Sequence, residues 1–274
     1  MHMIFSKVGS TWQEVNYIGV SAGGWRDVSR GWVRFSGVWK LFFSVDYNYT
    51  DTLWAWGRNQ YGQLGDGTTT QRTSPVKIGT STWKAIAAGE YHSLGILSDD
   101  TLWAWGNNSY GQLGDGTTTQ RTPPVKIGTS TWKAITAGYY HSLGIRSDNT
   151  LWAWGRNQYG QLGDGTTTQR TSPVKIGTST WKAIAAGEYH SLGILSDDTL
   201  WAWGNNSYGQ LGDGTTTQRT SPVKIGTSTW KAIAAGEYHS LGILSDDTLW
   251  AWGNNSYGQL GDGTTTQRTS PVKI

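Results

Sequence analysis

The chain has 274 residues and no cysteine, which excludes a disulfide framework and any zinc or iron–sulfur site built on cysteine. Its 22 basic and 19 acidic side chains leave a formal charge of +3, spread along the sequence rather than gathered in one segment. Because phosphate neutralisation requires clustered Lys and Arg, this spread predicts no nucleic-acid partner, and the lack of a run of about 18 apolar residues predicts no membrane span.

Residues 1–35 follow a pattern of their own and are predicted to form a β-rich amino-terminal segment. Trp12, Trp25 and, just beyond, Trp39 are spaced 13 and 14 residues apart, with glycine shortly before each. Their segments, KVGSTWQEV, SAGGWRDV and FSGVWKLF, lie within residues 1–45 and resemble the short Gly-x-Trp repeats of phage tail and fibre proteins.

A 49-residue repeat occupies the remainder of the chain. The full units are residues 79–127, 128–176, 177–225 and 226–274, and a partial copy precedes them at 52–78. Each unit contains four short segments rich in aromatic or branched residues, separated by Gly, Asp, Asn and Ser. None of these segments shows an apolar stripe with a period of 3.6, so each unit predicts four β-strands and no helix.

Four strands in a repeat of this length predict an all-β fold, a β-propeller whose blades stack face to face. Alternate residues of the pentapeptide LWAWG point to opposite sides of a blade, so its two tryptophans share one face. These tryptophans are the predicted core: Trp54, Trp56, Trp103, Trp105, Trp152, Trp154, Trp201, Trp203, Trp250 and Trp252.

The repeat resembles that of a known family. TLWAWGNNSYGQLGDGTTTQRTSPVKI, followed by WKAIAAGEYHSLGIL, is similar to the RCC1 repeat, and the match recurs through residues 52–274. The resemblance implies a β-propeller, usually of seven blades, whereas this chain offers at most five.

The number of blades depends on the segment before the first LWAWG. Residues 36–78 are predicted to form a first, atypical blade, in which VWKLFF and VDYNY supply two shortened strands. A propeller domain of residues 36–274 would then close as a five-bladed ring. Without those strands the chain has four and a half blades, and its open edges favour self-association.

One histidine recurs at the same place in each full unit: His92, His141, His190 and His239. A shared metal is the alternative to a structural role, but each unit supplies a single histidine and no acidic residue at ligand spacing. In RCC1-like blades this histidine is structural and is satisfied by backbone groups. The sequence therefore predicts no metal and no cofactor.

No catalytic constellation is predicted. Ser93 follows His92 directly, but neighbouring residues of a strand point to opposite faces and cannot share a proton as a Ser–His pair must. We therefore expect a protein that is not an enzyme.

The long loop of each unit holds the candidate ligand-binding residues, since tyrosine rings stack on sugars and amides bond to hydroxyl groups. These residues are Tyr61, Asn107, Asn108, Tyr110, Tyr159, Tyr208 and Tyr257. In the alternative interpretation, the tyrosines pack under their own loops. Near-identical units would make a genuine site multivalent.

Three functions remain open from the sequence. The first is a non-enzymatic scaffold or binding module that binds a glycan or protein ligand in several copies, in a phage-like or surface assembly. The second, implied by the family resemblance, is guanine nucleotide exchange on a small GTPase. The third is a recently amplified or engineered repeat with no specialised activity.

Overall fold

The chain divides into two compact units, Met1–Asn48 and Tyr49–Ile274. The computed structural model describes residues 4–8, 11–15, 30–35, 38–44 and 52–274. Every regular element of the described residues is a β-strand, which confirms the predicted all-β class.

The described strands of the first unit form two antiparallel hairpins. Strand β1 (Ile4–Val8) pairs with β2 (Thr11–Val15), and β3 (Arg30–Phe35) pairs with β4 (Val38–Ser44). VWKLFF therefore lies in β4 and pairs with β3, while its place in the first blade stays a prediction. VDYNY and Trp25 lie outside the described residues.

The second unit contains fourteen strands, each hydrogen-bonded to its neighbours in chain order. They are β5 (Thr52–Gly57), β6 (Arg72–Ala88), β7 (His92–Leu97), β8 (Thr101–Gly106), β9 (Arg121–Ala137), β10 (His141–Arg146), β11 (Thr150–Gly155), β12 (Arg170–Ala186), β13 (His190–Leu195), β14 (Thr199–Gly204), β15 (Arg219–Ala235), β16 (His239–Leu244), β17 (Leu249–Gly253) and β18 (Arg268–Lys273).

Two of the four strands predicted in each unit are fused with those of adjacent units. In β9 the first residues, Arg121–Lys126, pair with β8, and the last residues, Trp132–Ala137, pair with β10. Gly128 lies between them with a φ of 60°, a left-handed conformation that glycine adopts without a steric penalty. One continuous strand of 17 residues thus ends one blade and begins the next.

The described residues form four complete blades and one half-blade. Each complete blade has four strands, and the half-blade consists of β5 and the beginning of β6. Within the described part of the chain no pairing joins β18 to β5, and the half-blade makes no contact with the last blade. The blades therefore form an open arc there rather than the closed five-bladed ring that was one alternative.

The hydrophobic core lies between consecutive blades. Leu102 and Ala104 of one blade pack with Trp132 and Trp154 of the next, and all four are buried. The second tryptophan of the pentapeptide is buried in each full unit, in agreement with the alternation along the strand. The first is only half-buried, and in Trp103 its Nε1 donates to Thr101 Oγ1 at 3.0 Å.

Two residues of the half-blade that were predicted to lie in the core are exposed. Trp54 is 51% exposed and Trp56 is 60% exposed. In a full unit the corresponding Trp154 is covered by the loop of the preceding blade, where its Nε1 donates to Gln112 O at 2.8 Å. No GQLGDG loop precedes Trp56 in the sequence, so the cover is missing and the prediction for this pair is wrong.

Four further tryptophans are buried in the core although the sequence analysis did not predict them there. They are Trp83, Trp132, Trp181 and Trp230, and each pairs with the second pentapeptide tryptophan of its own blade. The ring centroids of Trp132 and Trp154 are 5.6 Å apart. Each of them is the single Trp of its strand segment, and the strand that follows contains a glycine, which leaves room for an indole ring. That combination in the sequence could have identified them.

Candidate binding surface

Each long loop is held rigid by one buried asparagine. Asn108 Nδ2 donates to Asp115 Oδ1 at 3.0 Å and to the carbonyls of Thr117 and Thr119 at 3.1 and 3.0 Å. Its Oδ1 accepts from Leu113 N at 3.0 Å. The same set of bonds is formed by Asn59, Asn157, Asn206 and Asn255.

Two predicted ligand-binding residues are therefore corrected. Asn108 is fully buried and Asn107 is 6% exposed. Asn107 Oδ1 accepts from Gln112 Nε2 at 2.6 Å and from Ser109 N at 3.1 Å. Because both ends of the Asn108 amide bond within the loop, Asn108 is not placed to bond a sugar hydroxyl, and the Oδ1 of Asn107 is likewise occupied there.

An ion pair completes the loop. Arg121 lies 2.7 Å from Asp115 Oδ2 through its Nη2 and 2.8 Å through its Nε. Burial raises the pKa of Asp115, but hydrogen bonds from Thr117 and Arg121 outweigh it and hold that pKa below its usual value. The carboxylate stays ionised and fixes the turn on which the loop tyrosine is carried.

Three of the four recurring histidines bond to the next blade. His92 Nε2 lies 2.8 Å from Ser142 Oγ, and that hydroxyl donates to Gln112 O at 2.8 Å. Since the one hydroxyl proton is directed at the carbonyl, the imidazole must donate its Nε2–H. His141 and His190 make the same contact with Ser191 and Ser240, so the partner is a serine rather than the predicted backbone groups.

This pairing joins blades and does not activate a nucleophile. Both His92 and Ser142 are fully buried, and the serine proton points away from the ring. Burial also lowers the pKa of His92 to about 3, so the ring is neutral at physiological pH. No group of three or more His, Cys, Asp or Glu side chains that could hold a metal ion occurs among the described residues.

The loop tyrosines form aromatic pairs across the blade junctions. Each packs on the tyrosine that precedes the histidine of the next blade, in contrast to the alternative of packing under its own loop. The pairs, with their centroid distances, are Tyr61–Tyr91 (5.3 Å), Tyr110–Tyr140 (4.9 Å), Tyr159–Tyr189 (5.2 Å) and Tyr208–Tyr238 (5.2 Å). We call these eight residues the tyrosine surface. Tyr257, which no further repeat follows in this sequence, is 94% exposed.

Unit 128–176 departs from the others at this surface. It has Tyr139 where the other full units have glutamate, and Arg156 where they have asparagine. The Tyr139 ring lies 4.6 Å from Tyr140 and 5.2 Å from Tyr91, with 3.1 Å between the hydroxyls of Tyr91 and Tyr139.

Arg156 completes this arrangement. Its guanidinium carbon is 4.9 Å from the Tyr110 ring, 5.7 Å from Tyr140 and 5.0 Å from Tyr189. We call Tyr139, Arg156 and the rings around them the Tyr139–Arg156 cluster. Sequence reasoning did not select either residue, although the departure of this unit from its neighbours was the available signal.

The electrostatics of the cluster keep its phenols neutral. A hydrogen bond with Tyr91, together with burial, raises the pKa of Tyr139 above its usual value. Burial, with the nearby Glu188 carboxylate, raises the pKa of Tyr189 to about 12. The hydroxyls therefore remain available as donors and acceptors, and Arg156 supplies the positive charge.

The described residues include no helix that is long and apolar enough to cross a membrane.

Comparison with known proteins agrees with this geometry. A family model of the Regulator of chromosome condensation (RCC1) repeat matches residues 50–96, 99–145, 148–194, 197–243 and 246–274. A second model of the same repeat matches residues 83–112, 132–161, 181–210 and 230–259.

Solved propellers share the fold at low sequence identity. Yeast RCC1 (Prp20), bound to Kap60, is 24% identical over 81% of this chain and 57% of its own, with a TM-score of 0.73. Human WBSCR16 is 23% identical over 81% of this chain and 62% of its own, with a TM-score of 0.72. The chain thus spans about three fifths of the length of these proteins.

The family model matches at the period of the structural repeat. At that period recur the four-stranded blades, the GQLG loops and the histidines that bond to the next blade. By that match, which covers most of the sequence, the chain belongs to the RCC1 repeat family of β-propellers.

Proposed function

We propose that this RCC1-repeat protein is a non-enzymatic binding scaffold that holds a protein ligand on its tyrosine surface, with the Tyr139–Arg156 cluster as the main contact. The observation that carries the proposal is the convergence of Tyr139 and Arg156, where the other full units have glutamate and asparagine, on rings from the adjacent blades. Arg58 holds the same place as Arg156 in the partial unit and lies 5.3 Å from the Tyr91 ring. Tyrosine and arginine are enriched among the residues that dominate the energy of protein interfaces.

The cluster is organised before any ligand binds. Tyrosine offers a large contact area at little cost in conformational entropy, and these rings are already fixed by one another. Within the described residues, the hydrogen bonds of Arg156 go to Gln158 and to the Tyr189 hydroxyl, both of which are neutral. Its charge therefore remains available for a carboxylate of the ligand.

Protein binding also occurs on this fold in a similar protein. The structure of Prp20p from Saccharomyces cerevisiae is described with its binding to Gsp1p and histones. This supports a protein ligand for the present chain as the first class to test.

The test uses a displayed peptide library selected on the wild-type protein. Tyr139→Glu/Arg156→Asn converts both positions to the residues of the other full units, so it removes the cluster with changes that the blade already accommodates. We expect the selected peptides to bind this variant at least about tenfold more weakly. Asn149→Asp makes the same kind of conversion outside the cluster and should bind as the wild type does. Equal binding to both variants, or no enrichment, would contradict the proposal.

Nucleotide exchange on a small GTPase is a second candidate. It is supported by the similarity to yeast Prp20 and by the asymmetry that unit 128–176 gives to otherwise repeated blades. Release of a fluorescent guanine nucleotide from a panel of small GTPases would be accelerated by the wild type and not by Tyr139→Glu/Arg156→Asn. Unchanged release across the panel would remove this candidate.

A further inference from the structure

Two equivalent pockets lie at blade junctions, apart from the tyrosine surface. The first, of about 360 Å³, is lined by Trp181, Leu195 and Trp201 together with the Gly163–Gly165 turn. The second, of about 390 Å³, has the corresponding residues 49 positions later, Trp230, Leu244 and Trp250. Each pocket is thus lined by two indole rings and one leucine, of which Trp201 and Trp250 are half-buried and Trp181 and Trp230 are buried.

In unit 128–176 the chain fills this position itself. Arg146 stands where the other full units have leucine. Its guanidinium carbon lies 3.4 Å from the centroid of Trp152 and 5.2 Å from that of Trp132, which are the equivalents of Trp201 and Trp181. A guanidinium therefore fits against both rings.

The ring faces hold this guanidinium. Arg146 Nε is buried without a hydrogen-bond partner, and no ion pair to Arg146 is formed within the described residues. The indole Nε1 of Trp132 is likewise buried and unpartnered, as is that of Trp181 in the open pocket, so recognition does not depend on these donors. A cation over the face of tryptophan is attracted by the ring quadrupole, and tryptophan is the best side chain for this contact.

We propose that the pockets at Leu195 and Leu244 bind arginine side chains of a partner protein, each guanidinium lying against the two indoles as Arg146 does. Lys175 lines the first pocket, but Lys126 holds the same place in the Arg146 unit, so a lysine at the rim is compatible with a bound guanidinium. The sequence places the same residue types around Leu97 in the first full unit, except that Pro123 replaces the serine equivalent to Ser221.

The charged groups near the turn favour a cation in the open pockets. Asp148 follows Arg146 and attracts it, and Asp197 occupies the same position beside Leu195. Asp198 stands where the Arg146 unit has Asn149, and it pairs with Lys182 at 2.5 Å. The open pocket thus keeps an aspartate at the same sequence position as the one that attracts Arg146.

The probe is a blocked Gly-Arg-Gly peptide, titrated while the tryptophan indole signals of the protein are followed by NMR. We expect saturable shifts, and roughly tenfold weaker binding of the same peptide with citrulline, which keeps the shape of arginine and lacks its charge. Equal affinity for the two peptides, or no saturable shift, would overturn the proposal.

Two variants test whether the peptide binds at the pockets. Leu97→Arg/Leu195→Arg/Leu244→Arg fills them with the chain's own guanidinium groups and should abolish binding. Arg146→Leu opens one more pocket and should add one binding equivalent per chain. Binding retained by the triple variant, or an unchanged stoichiometry for Arg146→Leu, would refute the assignment. If the triple variant does not fold, the stoichiometry of Arg146→Leu alone tests the assignment.

The inference rests on the scaffold function but uses a different surface, so the two can fail separately. Tyr139→Glu/Arg156→Asn should leave binding of the arginine peptide unchanged. The triple variant at the pockets should in turn leave binding at the Tyr139–Arg156 cluster unchanged.

Discussion

At the scale of single residues, the buried histidines show how each blade depends on its neighbour. The Nδ1 atoms of His92, His141 and His190 are buried and have no hydrogen-bond partner. A second proton on these rings would place a charge in an apolar site without an acceptor. Folding therefore requires these three rings to be neutral.

This requirement predicts a loss of stability in mild acid. Burial lowers the pKa of each of the three histidines from 6.5 in the unfolded chain to about 3. A lowered folded-state pKa means that the unfolded chain binds protons first, so the contribution is intact above pH 6.5 and declines as the pH falls toward 3. At pH 5 the free energy of unfolding should be lower by about 2 kcal/mol per histidine, measured by urea denaturation across the range.

The control for this prediction is His141→Gln, which removes one titrating ring. We expect this variant to be less stable than the wild type at pH 7 and to lose less stability between pH 7 and pH 5. The lowered pKa values of the loop aspartates act only below about pH 4, so they do not affect this window. A variant with the same pH slope as the wild type would show that the histidines are not responsible.

Residue identity alone could not reveal several of these roles. Asn108 lies in a sequence of Asn, Ser and Gly that is typical of an exposed turn, and only the folded loop shows that its amide is fully bonded inside. Arg146 is visible in the sequence as an exception to leucine, but its stacking on Trp152 follows only from the pairing of β10 with β11. In both cases the folded arrangement within one loop or one blade decides the role.

At the scale of elements, glycine is essential for two different reasons, one in the long strands and one in the loops between strands. Gly128 has a φ of 60°, and a Cβ there would meet no atom within 4 Å. Gly114 has a φ of 81°, and a Cβ there would lie 2.9 Å from the Trp154 ring. The first glycine serves backbone conformation alone, whereas the second also makes room for a tryptophan.

Alanine at the two positions should therefore have unequal effects. We expect Gly128→Ala to lower the free energy of unfolding by about 1 kcal/mol, the cost of a left-handed backbone for an L-residue. Gly114→Ala should cost about 2–4 kcal/mol, because it adds a clash with a packed ring. Denaturant titration of both variants measures the difference, and equal losses would mean that the Trp154 ring moves aside freely.

Much of the element pattern could be predicted because alternation and turn residues are local properties. The four segments of each unit were located, but their fusion into strands of 17 residues was not. The Gly-Thr-Ser turn chemistry suggests a break, while the pairing of β9 with two different blades keeps the strand continuous through it. The pairing of β4 with β3 was likewise not predicted, because it depends on the sequence before the repeat.

At the scale of the whole molecule, contacts join only consecutive blades in the part of the chain that the structure describes. Each junction repeats the same residues, with Trp154 on the turn at Gly114 and Trp203 on the turn at Gly163. Stability should then be close to a sum of blade and junction contributions, as in other repeat proteins. Whether blades close into a ring depends on strands outside the repeat, which is why the repeat alone could not settle it.

Removal of residues 177–225 tests this serial arrangement. The following unit is identical, so the deletion restores the same residues at the new junction. We expect a folded protein whose denaturant m-value falls by roughly a fifth, in proportion to the chain removed. If the deletion instead abolished cooperative unfolding, contacts beyond neighbouring blades would be needed and the open arc would be wrong.

The tryptophan pairs have an optical consequence. Four pairs have centroids 5.5–5.6 Å apart and ring planes inclined by 59–66°, one pair in each complete blade. Indole transitions held this close and at a fixed tilt couple as excitons, which produces a paired positive and negative band in circular dichroism. Because both rings of a pair are fixed by blade packing, the amplitude of this couplet reports how many blades are assembled, and the protein needs no added dye.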